Sequence, residues 1–192
     1  FLDHANVALD DDQRARYRAL GLPGEAFRSV GVFAPPRSGS AAAVPDVTAR
    51  SEGVTSFFWT LQEFCHEDLL PFLFADAEDD RAQYTMVVYN VMAQLRRATS
   101  LDDGGVQIEG EAVRTFRDLA DVITRKVQDE QDRFEWAGPA IGTGTVNAFV
   151  RRLQGAVRHR ERLIRADVPN PERHRVRLEH QVTVVDLHNL HD

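Results

Sequence analysis

Residues 180–192 read HQVTVVDLHNLHD, and the run Val182-Thr183-Val184-Val185 inside them decides how the rest of the chain is understood. Four β-branched residues in succession offer no polar face, so Val182–Leu187 reads as a strand of the kind buried inside a parallel sheet. Asp186 then stands at its carboxyl end, the edge where open α/β sheets bind ligands and where nucleotide hydrolases hold Mg²⁺. Capping of the next turn is the structural role open to the same acid. A buried strand needs neighbours, and the chain offers few. FRSVGVFA (27–34) is strand-like and is stopped by Pro35-Pro36, and 53–58 is a second short piece.

Between these β pieces the apolar period changes from two to about 3.6. Thr60-Leu-Gln-Glu63 has capping-box spacing, and Leu61, Phe64, Cys65, Leu69, Phe72 and Leu73 follow near helical spacing, interrupted by Pro71. Residues 79–99 predict the clearest helix, with Tyr84, Val87, Val88, Val91, Met92 and Leu95 on one face and Arg96-Arg97 at its end. Thr115-Phe-Arg-Asp118 opens another helix carrying Phe116, Leu119, Ala120, Ile123 and Val127. Thr143-Gly-Thr145 is expected to cap a last one carrying Val146, Phe149, Val150, Leu153 and Val157. A short helix over 10–20, ended by Gly21, precedes the first strand. Residues 37–53, 99–112 and 129–141 read as loops, the first of them mobile. The fold class that follows is mainly α: about four helices packed stripe to stripe as a bundle, flanked by short strands.

Composition excludes several classes. A hydrophobic share of 43% suits one substantial soluble core, and no apolar run approaches the ~20 residues of a membrane span. The single cysteine, Cys65, forbids an internal disulfide and fits a reducing, cytoplasmic setting. A net charge of −7 argues against a surface that binds nucleic acid all over. The charge is uneven, however. Arg151, Arg152, Arg158, Arg160, Arg162 and Arg165 face one acid in their stretch, Glu161, while Lys126 is the one lysine in the chain. Those arginines are candidates for contact with a nucleotide, another anion or an acidic neighbour. The structural alternatives are a solvated face and a coding preference for arginine over lysine.

The remaining motifs are weaker. His188 and His191, with Asp186 and Asp192, have the spacing of nitrogen and oxygen metal ligands, but no third ligand is fixed. Asp79-Asp80 suits a helix start better than paired acid–base chemistry. GPAIGTG (138–144) can offer amides to an anion at the helix start that follows, but it lacks the lysine of a P-loop. No nucleophile elbow and no dinucleotide fingerprint occurs.

Three stretches together resemble the HerA-type ATPases of the FtsK–HerA superfamily. They are FLDHANVALDDDQRARYRALGLP followed by VGVFAPP, then VTSFFWTLQEFCHEDLLPFLFADAEDDRAQYTMVVYNVMAQL, then VTVVDLHNLHD. The resemblance implies a RecA-like α/β core over residues 1–58, a helical bundle insertion over 59–165, and a loop with a re-entry strand over 166–192. It places the phosphate-binding loop before Phe1 and the magnesium-binding Asp-Glu pair after Asp192. Asp186 is followed by Leu187, so the catalytic glutamate does not carry over to it. Both ends accordingly read as interior points of a longer chain. The parent would use ATP and Mg²⁺, assemble as a homo-oligomeric ring, move DNA and accept a nuclease partner. The segment itself is expected to hold no cofactor, no metal and no catalytic residue. The alternative is a stand-alone helical interaction module without catalysis, and a third reading is a metal-dependent hydrolase built on His188 and His191.

Overall fold

The computed structural model describes residues 10–22, 29–37, 45, 53–74, 82–166 and 174–187. In chain order the elements are α1 (Asp11–Ala19), β1 (Val30–Ala34), β2 (Val54–Ser56), β3 (Trp59–Thr60), α2 (Leu61–His66), a 3₁₀ turn (Leu70–Phe74) and α3 (Ala82–Leu95). There follow β4 (Thr99–Ser100), β5 (Val106–Ile108), β6 (Glu111–Val113), α4 (Phe116–Gln128), α5 (Arg133–Trp136), α6 (Thr143–Arg160), a 3₁₀ turn (Glu161–Leu163), β7 (Ile164–Arg165) and β8 (Val182–Val185). Six helices and three small sheets make this a mixed α/β chain among the described residues. It divides into two compact units: the described residues through Phe57 together with those from His174 to Leu187, and those from Phe58 to Ala166.

In the first unit, α1 starts on a reciprocal cap. The amide of Gln13 donates to Asp10 Oδ1 at 2.7 Å and the amide of Asp10 donates to Gln13 Oε1 at 3.1 Å. Gly21 follows the helix at φ +68°, a conformation glycine adopts without strain, and no residue of α1 is buried. The strands form a parallel sheet in the order β2-β1-β8, with Val32 opposite Val54 and Val184. The central strand β1 buries Val32, Phe33 and Ala34. The run 182–185 is therefore a parallel strand, but not one covered on both faces. It is half-exposed, with Val185 41% accessible, because among the described residues it is an edge strand with a single lateral neighbour. The expected strand positions Phe27 and Arg28, most of the loop 37–53, and Asp79-Asp80 lie outside the described residues.

The second unit has its own core. Leu61, Phe64, Leu70, Val87, Val91, Leu95, Phe116, Leu119, Ile123, Trp136, Phe149 and Leu153 are each less than 2% accessible and belong to one cluster. Aromatic edges lock it: Phe64 meets Phe116 at 5.2 Å and Phe74 meets Phe149 at 5.5 Å. The apolar stripe expected on 79–99 is the buried face of α3, residue for residue. The left-handed Asp68 (φ +57°) separates α2 from the 3₁₀ turn, inside which Pro71 falls, so the run after Thr60 is two segments. Within it Phe72 is 66% exposed rather than on the buried stripe, since a 3₁₀ turn rotates side chains out of α-helical phase.

Three further expectations are corrected. Residues 99–113 form not a loop but an antiparallel meander, β4-β5-β6, in which Glu109 and Gly110 both have positive φ, as a two-residue hairpin turn requires. Helix α6 is capped by Gly142 and not by a threonine: Thr143 is already helical and no side chain bonds the free amides. Residues 129–141 also contain the short helix α5, whose Trp136 is buried.

Candidate functional site: the arginine stretch and the sheet edge

The arginine stretch begins on α6 and ends in β7. Helix α6 buries Val146, Phe149, Leu153, Ala156 and Val157, and this fixes which arginines face outward. Arg151 and Arg158 are exposed, and their seven-residue separation puts them two turns apart on one side of the helix. Between them lies Gly155, where an added Cβ would meet no atom within 4 Å. Gln154, next to it, donates to Asp121 Oδ1 and Thr124 Oγ1 of α4.

The other four arginines of the stretch are less exposed and take part in packing. Arg152 lies with its guanidinium 4.6 Å from the centre of the Tyr84 ring, a cation–π contact against the Phe74–Tyr84–Phe149 cluster. Arg160 donates to the carbonyl of Phe72 at 2.9 Å and so ties the end of α6 to the 3₁₀ turn. Arg162 sits in the second 3₁₀ turn, and Arg165 is opposite Thr60 in the β3–β7 pair. The one acid of the stretch, Glu161, accepts two bonds from Arg117 of α4, and the carboxylate holds the Arg117 guanidinium more firmly charged than usual. The six arginines thus do not converge on one point. The structure leaves Arg151 and Arg158 as a pair of exposed cations and gives Arg152 and Arg160 defined internal contacts.

The sheet edge belongs to the first unit. The amide of Asp186 donates to the carbonyl of Phe33 at 2.7 Å, one step beyond β8, and the amide of Phe57 donates to that of Ala34 at 3.0 Å. The ladder therefore carries Asp186 to the carboxyl end of the parallel strands, half-buried. At the opposite end Ser29 Oγ lies 3.3 Å from His180 Nδ1 and accepts the Gln181 amide at 3.1 Å. The His180 ring lies so close to Gly31 that a Cβ there would fall 2.1 Å from its Cδ2.

The glycine-rich segment 138–144 is closed by its own neighbours. Asn90 Nδ2 donates to Ala137 O at 3.1 Å, Arg133 donates to Ile141 O, and a Cβ on Gly138 (φ +108°) would lie 2.5 Å from Asn90 Nδ2. These contacts use the loop's carbonyls as acceptors, whereas a phosphate cradle is built from amide donors. The first turn of α6, whose N-cap Gly142 supplies no side-chain bond, still offers amides. Cys65 is buried and its thiol is pushed up to about 12 by that burial, so it stays protonated and is no nucleophile at neutral pH. Among the described residues no three His, Cys, Asp or Glu side chains are placed to hold a metal, and His188 and His191 lie outside those residues. No helix among the described residues is long and apolar enough to cross a membrane.

One polar cluster was not anticipated from sequence. Lys126, 17% exposed, is paired with both Glu109 and Asp132, the latter at 2.8 Å, and Trp136 Nε1 donates to Glu109 Oε1 at 3.2 Å. It pins the hairpin turn to α4 and α5. The signal for it, a lone lysine in a chain otherwise rich in arginine, is visible in sequence, but its partners Glu109 and Asp132 lie in two segments that read as loops. Comparison of the chain with protein-family models and with curated proteins finds no match.

Proposed function

We propose that this chain is an internal segment of a HerA-type ring ATPase, its helical unit inserted between strands of a RecA-like core and used for contact with a neighbouring subunit or partner. The observation that carries this reading is the pairing of β8 with β1. A strand ending in an acid runs parallel to a strand about 150 residues earlier, with a separate helical unit between them. That is the connectivity of an α/β sheet interrupted by an insertion, with Asp186 on the edge where such sheets do their chemistry. On this reading ATP and Mg²⁺ are bound by parts of the parent beyond Phe1 and Asp192, and the parent moves DNA through a homo-oligomeric ring. Arg151 and Arg158, as the exposed pair on α6, are the arginines suited to a trans contact with phosphate or with an acidic surface.

The test has two arms. The flanking reading frame should encode a P-loop before Phe1 and an apolar strand ending in Asp-Glu after Asp192; absence of both would remove the proposal. In the parent, R151E/R158E should lower DNA-stimulated ATP turnover by about tenfold, equivalent to about 1.4 kcal/mol across the contact. The segment alone should show no specific heat of binding with ATP and Mg²⁺. Unchanged turnover in the double variant would confine both arginines to a solvated face.

A second reading is favoured by the helical unit's own core cluster, formed among the described residues by side chains from Leu61 to Ala166. A unit of that kind can serve as a protein-interaction module with no nucleotide chemistry. It would be preferred if the flanking sequence carries no phosphate-binding loop and the chain behaves as a cooperative folded species in solution.

A further inference from the structure

We draw no further inference here: the strongest candidate, helix α1 with exposed Tyr17 and the exposed Leu20 and Leu22 that follow it, is a surface left open among the described residues, and nothing in the structure shows what covers it.

Discussion

Gly31 and Lys126 show how single residues set local structure, and each allows a direct test. At Gly31 the His180 ring occupies the space a Cβ would need, with Cδ2, Nε2 and Cγ all within 2.8 Å of it. Gly31→Ala should therefore push the ring away and break its bond to Ser29, with a loss of about 1–2 kcal/mol, as for other overpacked sites. Because the clash is with one side chain, Gly31→Ala combined with His180→Ala should recover most of the loss relative to His180→Ala alone; a denaturant-unfolding double-mutant cycle measures this. At Lys126, the carboxylates of Asp132 and Glu109 raise the ammonium above its ordinary value. A raised folded-state value stabilises the fold fully below the unfolded lysine range of ~10.4, and that stability is lost as pH rises through the folded value. Lys126→Met should lower Tm by about 3 °C near neutrality, in keeping with two screened ion pairs. It should also flatten the decline of Tm between pH 9 and 12. A decline equally steep in the variant would mean the pairs contribute nothing.

Among elements, what could be read from the sequence depended on whether the signal was local. The caps at Thr60 and Thr115 were legible because a capping box is a fixed three-residue spacing. In both, the threonine Oγ1 accepts the amide three residues on, at 3.1 Å from Glu63 and 3.0 Å from Asp118. The stripe on α3 was legible because six apolar residues share one period. The β4-β5-β6 meander was not, for its strands are two or three residues long and its hairpin turn is Glu109-Gly110 where Asn-Gly or Asp-Gly would have announced it. The arginine stretch was visible as composition, but the separation of Arg151 and Arg158 from Arg152 and Arg160 depends on tertiary partners, Tyr84 and Phe72, that no local spacing reveals. Helix α6 also carries a test of its own. Gly155 lies in its interior at an ordinary helical conformation, with open space where a Cβ would go. Gly155→Ala should raise stability by about 0.5–1 kcal/mol, since alanine loses less backbone entropy on entering a helix. Thermal unfolding checks this, and a loss of stability would mean that something not apparent in the chain's own packing approaches the helix at that point.

At the scale of the whole chain, connectivity predicts that the two units depend on each other unequally. Strands β1 and β8 are separated by roughly 150 residues, and closing a loop of that length carries a conformational cost that grows with its logarithm. When the helical unit is folded, β3 and β7 hold its entry and exit together, Trp59 opposite Ile164 and Thr60 opposite Arg165. The length of chain that β8 must close is then only ~40 residues, which lowers the cost by about 1 kcal/mol. The helical unit gains no comparable shortening from the sheet, because β3 and β7 already join its ends and, among the described residues, its core cluster is formed by residues 61–166. Loosening the helical unit should therefore loosen the β1–β8 pairing, while loosening the sheet should leave the helical unit intact. Leu153, fully buried in α6, and Val32, buried in β1, are the positions to compare. Leu153→Ala should cost about 2–5 kcal/mol in the helical unit and raise hydrogen exchange at Val182–Val185 as well. Val32→Ala should speed exchange in the three parallel strands only, with the amides of α3, α4 and α6 as protected as before. If the amides of β8 keep full protection while α6 exchanges freely, the sheet closes without help from the helical unit, and an insertion that organises its host strands is the wrong description of this chain.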